Sequence, residues 1–489
     1  MPVARGSGRP VRLPSFRTNI FAPLPGALPA MLEKLLQPEI QDLIRNDDFE
    51  TLKDVFYDWL PADMARLIED LPEDEQSVAF RAVPAGMAPQ TFEYLTLEAQ
   101  KILLESLSRI ELAAILNGMS PDDRTELLED LPEEKAADLV ALLDTEERAV
   151  ALSLLGYPEN SVGRLMTPDY IRVKHDWTVE RVLEHIRVYG RDSETLDIIY
   201  VVDEDGRLID EIRIREILLA PAGAVVRDLM DSQYVALTVT EDQESAVEIF
   251  RRYDRTALPV IDSAGRLVGI VTADDVLDVV EEEATEDIQK FGGMEALDLP
   301  YISTSVPNMV KKRARWLITL FIGEMLTTSA MGAFENEIAR AVVLALFVPL
   351  IISSGGNSGS QAATLIVRAL ALGEVRLRDW WMVMRREILS GLLLGIILGG
   401  IGFARIAVWS AFSNIYGPYW PEVALTVAIS LVGIVLWGTL AGSMLPFVLK
   451  RLGADPATSS APFVATLVDV TGVLIYFTVA TLLLQGKML

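Results

Sequence analysis

The segment Ala461-Pro-Phe-Val-Ala-Thr-Leu-Val-Asp-Val-Thr-Gly472 predicts a membrane-spanning helix that carries a carboxylate inside it. Asp469 stands eight residues past the start of this segment, which is the last of five long apolar runs. A charge at that depth in a bilayer costs roughly 2.5 to 3.5 kcal/mol on insertion scales, so it usually faces a water-filled path or a partner. We therefore predict that Asp469 lines an ion pathway.

The remaining apolar runs and the charges between them predict the topology. We place the five spans at 315–334, 339–367, 388–412, 423–449 and 461–485. Basic residues precede the first span and follow the second and the fourth, whereas the loop 413–422 has none. Because basic loops stay in the cytoplasm, the soluble half is predicted to be cytoplasmic and the C-terminus outside. The chain is thus expected to be a multi-pass protein of the cell (inner) membrane, in contact with lipid.

The second span contains Pro349-Leu-Ile-Ile-Ser-Ser-Gly-Gly-Asn-Ser-Gly-Ser-Gln361, which is unusually polar. Pro349 and the glycine pair are expected to break or loosen the helix and to expose carbonyl groups to a water-filled path. Carbonyl and amide oxygens suit a hydrated hard cation. The candidate pathway residues of this span are Gly355, Gly356, Asn357 and Gln361. The competing interpretation is a Gly-x-x-x-Gly packing face, and we assign mostly that role to the glycines of the third span, Gly391, Gly395 and Gly399.

Two further charges lie well inside the predicted spans, away from their first residues. Arg405, near the outer end of the third span, is able to extend its charged group to the interface. Glu324, in the first span, either pairs within the helical bundle or lines a vestibule.

The charge of the chain is divided unevenly between its two halves. The net charge of the 489 residues is −27; Met1–Val310 hold 61 acidic and 29 basic residues, and Lys311–Leu489 hold 9 and 14. An acidic half of this kind repels nucleic acid and attracts cations. With no cysteine and two histidines, a bound metal would have oxygen ligands, which favours Mg²⁺ or Ca²⁺.

Two kinds of repeat fill the acidic half. Short helices separated by Leu-Pro-Glu steps predict a helical superhelix from 31 to 158, after a flexible tail of residues 1–30. Two strand and helix units follow, in which Gly206 and Gly265 mark hairpin turns. They resemble a tandem CBS module with copies at 159–221 and 222–281, although Asp210 and Glu211 replace the usual Gly-hydrophobic step of the first copy. Such pairs often bind adenine nucleotides, so ATP binding is left open.

An acidic connecting (plug) helix, 282–313, is predicted to lead from the second repeat to the membrane domain, 314–489. Asp275, Asp278, Glu282 and Glu286 recur three and four residues apart, which places carboxylates along one helical face. These carboxylates repel one another. A divalent cation that bridged them to another acidic surface would make the net interaction attractive. A solvated linker helix is the alternative.

These features together resemble the MgtE family of bacterial magnesium channels. The resemblance covers nearly the whole chain and includes Gly-Gly-Asn-x-Gly-Ser-Gln in the second span and Pro-x-x-Ala-Thr-x-x-Asp in the last. It implies a homodimer with its pore at the subunit interface, Mg²⁺ selected at Asp469, and closure by cytosolic Mg²⁺; Ala465 is a further candidate residue of the ion pathway. The sensor ligands that it implies are Asp242, Glu244, Asp254, Asp275, Asp278, Glu283, Glu286 and Asp287.

The expected fold is therefore multidomain: an all-α superhelical N domain, α/β tandem CBS domains and a bundle of five transmembrane helices per subunit. Two other functions remain open, an ion-coupled secondary transporter of divalent cations and a nucleotide-sensing membrane receptor without transport. No nucleophile and base pair, phosphate loop or zinc signature indicates an enzyme.

Overall fold

The computed structural model describes residues 30–297, 301, 304–413 and 415–486, with side chains from residue 36 onward. Contacts divide the chain after Val280 into two compact units, and each is described by itself. The predicted tail lies outside the described residues, apart from Ala30.

In the first part of the soluble unit, the described residues form a series of short helices. Most begin with Pro or an acidic residue in the first turn, where a missing N–H is tolerated and negative charge is favoured. In chain order the helices are α1 (Ala30–Arg45), α2 (Phe49–Phe56), α3 (Pro61–Glu69), α4 (Glu73–Phe80), α5 (Ala88–Glu93), α6 (Leu97–Ser106), α7 (Arg109–Gly118), α8 (Pro121–Glu129), α9 (Glu133–Val140) and α10 (Thr145–Leu154).

A hydrogen bond that recurs every 24 residues fixes the stacking of these helices. A side chain at the end of one helix accepts the backbone N–H at the start of the third helix after it, which satisfies a donor that the helix itself leaves unpaired. The three bonds are Thr96 N–H to Glu69 Oε1 at 2.5 Å, Ser120 N–H to Glu93 Oε1 at 2.7 Å and Asp144 N–H to Asn117 Oδ1 at 2.7 Å. The predicted superhelix is thus held by side-chain caps as well as by its leucine-rich core.

The second part of the soluble unit contains two three-stranded sheets. The first copy comprises α11 (Val162–Leu165), β1 (Arg172–Lys174), α12 (Val179–Tyr189), β2 (Ile198–Val202), β3 (Leu208–Arg213) and α13 (Ile214–Leu219). The second comprises β4 (Leu237–Thr238), α14 (Gln243–Tyr253), β5 (Ala257–Ile261), β6 (Leu267–Thr272) and α15 (Ala273–Phe291). In each sheet the first two strands are parallel and the last two antiparallel.

The hairpin turns form as predicted, because Gly206 and Gly265 have φ of +80° and +79°, a conformation that glycine adopts without strain. The two altered residues of the first copy are both engaged. Asp210 accepts the backbone N–H groups of Asp231 and Ser232, at 2.9 and 3.0 Å. Glu211 is paired with Arg255 of the second copy at 2.6 Å.

Among the described residues of the second unit, five helical stretches are long and apolar enough to cross a membrane, as predicted for this part of the chain. The helices of this unit are α16 (Val306–Ala333), α17 (Glu335–Arg340), α18 (Val342–Ala345), α19 (Val348–Ala371), α20 (Trp380–Phe412), α21 (Trp420–Arg451) and α22 (Ala461–Leu484). Helices α18 and α19 form one of the five stretches, and the short α17 belongs to none. The multidomain fold class is confirmed: a helical N domain, two CBS-like sheets and five apolar helices.

Helix α19 is continuous through its glycines, so the predicted break does not occur. Pro349 lies in the first turn, where its missing N–H leaves no gap in the helical hydrogen bonds. The glycines allow close helix packing instead. A Cβ atom on Gly359 would lie 2.8 Å from Val464 Cγ1 and 2.9 Å from the Gly438 carbonyl oxygen.

The glycines of α20 also pack against α21, as predicted. A Cβ atom on Gly391 would lie 3.0 Å from Thr439 Oγ1, and one on Gly395 would lie 2.8 Å from Val432 Cα. Such close approach of two helix backbones is typical of small-residue faces in membranes.

Candidate ion pathway and acidic clusters

Asp469 lies on α22, half-buried, opposite a glycine of α19. A Cβ atom on Gly356 would lie 3.7 Å from Asp469 Oδ1 and 3.4 Å from Ala465 Cβ. Asp469 and Ala465 are four residues apart and therefore share one face of α22. The structure thus brings together three of the predicted pathway residues. The residue of α19 that lies opposite the carboxylate is a glycine, which leaves space beside it.

The two predicted amide residues of α19 lie on its exposed side. Asn357 and Gln361 are four residues apart and exposed in the single chain, and Asn357 Nδ2 donates a hydrogen bond to Ser353 Oγ at 3.3 Å. Gly355 is placed differently, because a Cβ atom there would clash with side chains of Ile434 and Val468. Its position favours the packing interpretation over a place on the pathway surface.

The other two membrane charges are exposed in the single chain. The Arg405 guanidinium carbon lies 6.0 Å from the centre of the Trp409 ring, which fits an arginine extending toward the interface. Glu324 lies on α16, next to Gly323, where a Cβ atom would lie 2.8 Å from Thr466 Cγ2. Helix α16 is therefore in close contact with α22 at this point.

In the soluble unit, carboxylates of the helical part meet those at the start of α15. Asp122 is 8% exposed, and its Oδ1 has no hydrogen-bond partner among the described residues. Burial raises the pKa of Asp122 well above its ordinary value, and the charges of Asp275, Asp123 and Glu194 raise it further. Burial also raises the pKa of Asp275 to about 7, against the lowering effect of its bonds from Thr272.

Neighbouring carboxylates extend this acidic cluster, which we define as Glu93, Asp122, Asp123, Glu194, Asp274 and Asp275. Burial, with the charges of Asp123 and Glu194, raises the pKa of Glu93 to about 7, although the N–H of Ser120 stabilises its charged form. Asp275 was predicted from the sequence, but the acids of α8 were not, because Pro121-Asp-Asp there has the ordinary composition of a helix start. The burial of Asp122 in that turn is visible only in three dimensions.

The predicted sensor residues of α14 lie at both of its ends. Asp242 is the N-cap and accepts the Glu244 backbone N–H at 2.9 Å, whereas Asp254 ends the helix with φ of +51°. Twelve residues at 1.5 Å per residue separate Asp242 from Asp254 by about 18 Å, too far to share one ion.

The C-terminal end of α15 forms a second acidic cluster, with the loop before α22. Lys290 Nζ lies 2.9 Å from Asp455 Oδ2 and also pairs with Glu286. Burial raises the pKa of Asp287 to about 6, and the charges of Asp455 and Glu283 add to the effect. Of the predicted residues on α15, Glu283, Glu286 and Asp287 are half-buried here, whereas Asp278 is exposed.

Within the described residues, no three Asp, Glu or His side chains are already arranged to hold a metal ion. The carboxylates of the two acidic clusters still suit Mg²⁺, because this ion gives up its water reluctantly and is usually held by one or two carboxylates. Asp122 Oδ1 is buried beside other carboxylates and has no hydrogen-bond partner among the described residues. A bound cation at this place would compensate the charge, whereas an uncompensated buried charge would be unfavourable.

Three family models match the chain. The one described as MgtE, divalent cation transporter, matches residues 348–479, and the MgtE intracellular N domain matches 59–160. The CBS domain matches twice, at 162–223 and 226–282.

Curated relatives match along most of the chain. The magnesium transporter MgtE of Thermus thermophilus is 39% identical over 461 residues, which cover 93% of this chain and 100% of that protein. The magnesium transporter MgtE of Bacillus subtilis is 29% identical over 442 residues, which cover 90% of this chain and 95% of that protein.

Solved structures match the soluble part. A crystal structure of the cytosolic domain of the Mg²⁺ channel MgtE in complex with ATP has 35% identity and a TM-score of 0.48, covering 50% of this chain and 100% of that one. A structure of the soluble part of a magnesium transporter has 24% identity and a TM-score of 0.48, covering 52% and 99%.

Proposed function

The chain belongs to the MgtE family of magnesium transporters, and we propose that it is a magnesium-selective channel of the inner membrane. It imports Mg²⁺ and is closed by cytosolic Mg²⁺ bound to its acidic surfaces. The soluble unit lies in the cytoplasm and the C-terminus lies outside. The observation that carries this proposal is the position of Asp469, a half-buried carboxylate opposite Gly356 and beside Ala465.

The proposed pathway runs past Asp469 between two copies of the chain. Asn357 and Gln361 project from α19 on its exposed side, and in a homodimer this side would face the second copy. Amide oxygens and a carboxylate together suit a cation that keeps most of its water, which is how Mg²⁺ is usually bound. A single chain supplies one wall of such a pathway.

Closure rests on the two acidic clusters. Without metal, the buried carboxylates around Asp122 and Asp275 repel one another, which opposes their close packing. Bound Mg²⁺ removes that repulsion and stabilises the packed arrangement. Since a ligand shifts a conformational equilibrium only by its differential affinity, several sites acting together would make closure steep.

The proposed link from cytoplasm to membrane is the end of α15. Lys290 and Asp455 join this helix to the loop that precedes α22, the helix of Asp469. Glu283, Glu286 and Asp287 lie on the same end of α15, where a cation would add to this contact. We include adenine-nucleotide binding at the CBS pair as a further proposal, to be measured by calorimetric titration with ATP.

The test is electrical recording from the full-length protein in a planar bilayer with a Mg²⁺ gradient as the sole driving force. A channel gives a current that reverses at the Mg²⁺ equilibrium potential and that falls when millimolar Mg²⁺ is added on the side of the soluble unit. Transport that requires a second ion gradient would contradict the channel mechanism. A current indifferent to Mg²⁺ on that side would contradict the proposed closure.

A further inference from the structure

Glu324 is a charged residue in the middle of a membrane helix that the proposed pathway does not yet use. It lies nine residues before the end of α16, about 14 Å along the helix axis. Its short side chain cannot reach the interface from there as Lys or Arg would. A carboxylate at such a depth usually faces a water-filled path or a partner.

Helices α16 and α22 run parallel, and three contacts fix their register. These contacts are Trp316 Nε1 to Ser460 Oγ at 3.2 Å, Gly323 against Thr466, and the stacked rings of Phe334 and Phe477 with centres 5.2 Å apart. The residue numbers within each pair differ by 143 or 144. The same offset places Glu324 level with residues 467 and 468, within about one helical turn of Asp469.

This register brings two like charges to nearly the same depth. Glu324 and Asp469 are both carboxylates, on neighbouring helices that are in contact there. Two carboxylates at one depth in an apolar layer disfavour each other's ionised form unless a cation or water compensates them. Both charges are stable together when a divalent cation occupies the space beside them.

A buried hydroxyl on the same helix is a second sign of a polar ligand. Thr327 is 5% exposed, and its Oγ1 has no hydrogen-bond partner among the described residues. It lies one turn beyond Gly323, on the face of α16 that packs against α22, and three residues from Glu324. An unsatisfied hydroxyl in an apolar layer is unfavourable, and a bound water or hydrated ion would supply the missing hydrogen bond.

We infer that Glu324 is a second cation-attracting residue of the ion pathway, which raises the occupancy of a hydrated divalent cation at Asp469. This inference rests on the proposed function, since it assumes that ions pass Asp469. Mg²⁺ keeps its water shell, so the pair acts through that shell and needs no direct ligand bond. The role of Glu324 is electrostatic, and its removal lowers occupancy rather than closing the path.

The test compares Mg²⁺ uptake by proteoliposomes that contain full-length protein with Glu324→Gln, Glu324→Asp or Asp469→Asn. Glu387→Gln is the matched control, because Glu387 is also a carboxylate of a membrane helix but lies on α20, which packs against α21. We expect Glu324→Gln to raise the half-saturating Mg²⁺ concentration roughly tenfold, because loss of a negative charge beside the pathway lowers the local concentration of the cation. Maximal uptake should change little. Glu324→Asp should restore most of the affinity.

Two results would overturn the inference. One is a half-saturating concentration for Glu324→Gln that equals that of Glu387→Gln, and the other is a loss of uptake in Glu324→Gln that Glu324→Asp does not restore, which indicates a packing role. If Asp469→Asn lowers uptake while Glu324→Gln does not change affinity, the proposed function stands without the inference. Unchanged uptake by Asp469→Asn would reject the proposed pathway itself. Size-exclusion chromatography of each variant separates misfolding from altered transport.

Discussion

Lys290 Nζ lies 2.9 Å from Asp455 Oδ2, which joins the end of α15 to the loop that precedes α22. Burial lowers the pKa of Lys290, but the hydrogen bonds to Asp455 and Glu286 and the charges of these two carboxylates together raise it above its ordinary value. The lysine therefore stays charged across the physiological range. This contact connects a helix that carries acidic residues with the helix that carries Asp469.

Removal of the lysine charge should weaken closure of the channel. With Lys290→Met, we expect Mg²⁺ uptake measured at a closing concentration of cytosolic-side Mg²⁺ to rise roughly fivefold, the effect of a modest coupling energy. Uptake at low Mg²⁺ on that side should stay unchanged. Equal suppression of the variant and the native protein would show that this contact does not transmit closure. Arg378→Met, which removes an exposed cation elsewhere in the membrane unit, is the control.

The buried carboxylates predict a pH dependence of the metal-free protein. The folded-state pKa values of Glu93 and Asp275 are raised to about 7, whereas the unfolded chain titrates near 4. Between about pH 4 and 7 the folded protein binds more protons than the unfolded one, so the free energy of unfolding falls as pH rises through this window.

Hydrogen exchange of full-length protein measures this effect locally. Without Mg²⁺, amides of 121–129 and 273–280 should exchange more slowly at pH 5.5 than at pH 7.5, after correction for intrinsic exchange rates. Saturating Mg²⁺ at pH 7.5 should restore protection, and Asp122→Asn should reduce both effects. Protection that is independent of pH and Mg²⁺ would contradict the role of the acidic cluster.

The ion pair between the two CBS copies predicts a second pH-dependent effect. The Glu211 side chain is 4% exposed, and burial raises its pKa to about 7 in spite of Arg255. Arg255→Met leaves this carboxylate buried without its partner, which should destabilise the soluble unit by about 3 kcal/mol at pH 8. The loss should be smaller at pH 5.5, because Glu211 is then neutral. Thermal unfolding of the Arg255→Met and Arg255→Met/Glu211→Gln proteins checks this, and failure of the second change to restore stability would contradict it.

Two glycines of α19, Gly356 and Gly359, have different surroundings and should respond differently to replacement by alanine. Gly359→Ala places a Cβ atom 2.9 Å from a backbone oxygen of α21, so the helices must separate, at a cost of roughly 1 to 3 kcal/mol. Gly356→Ala meets its neighbours at 3.4 Å and fits with small adjustments, but it adds a methyl group beside Asp469. We expect the first change to lower the unfolding temperature and the second to alter Mg²⁺ uptake with little effect on stability. The reverse pattern would contradict the assignment of Gly356 to the pathway.

The fold class followed from the sequence because its signals are local. Apolar run length predicts spans, and Gly206 and Gly265 mark hairpins by their backbone freedom. The continuity of α19 did not follow, since the effect of Gly355 and Gly359 depends on whether another helix packs against them. Their contact with α21 decides the matter, and residue spacing within α19 does not reveal it.

The candidate sites followed only in part for a related reason. Asp469 was found because a single charge in an apolar run is informative by itself. Asp122 and Asp123 resembled the acids of an ordinary helix start, and the charges of Asp275 and Asp274 that act on them belong to residues about 150 positions later. The register that brings Glu324 level with Asp469 likewise depends on contacts between two distant helices.

The most direct test of the account is Mg²⁺ uptake by proteoliposomes containing native protein, Asp469→Asn or Glu387→Gln at equal protein density. We expect Asp469→Asn to abolish or strongly reduce uptake, whereas Glu387→Gln should transport like the native protein. Native uptake by Asp469→Asn would contradict the central claim that the transported cation passes this carboxylate.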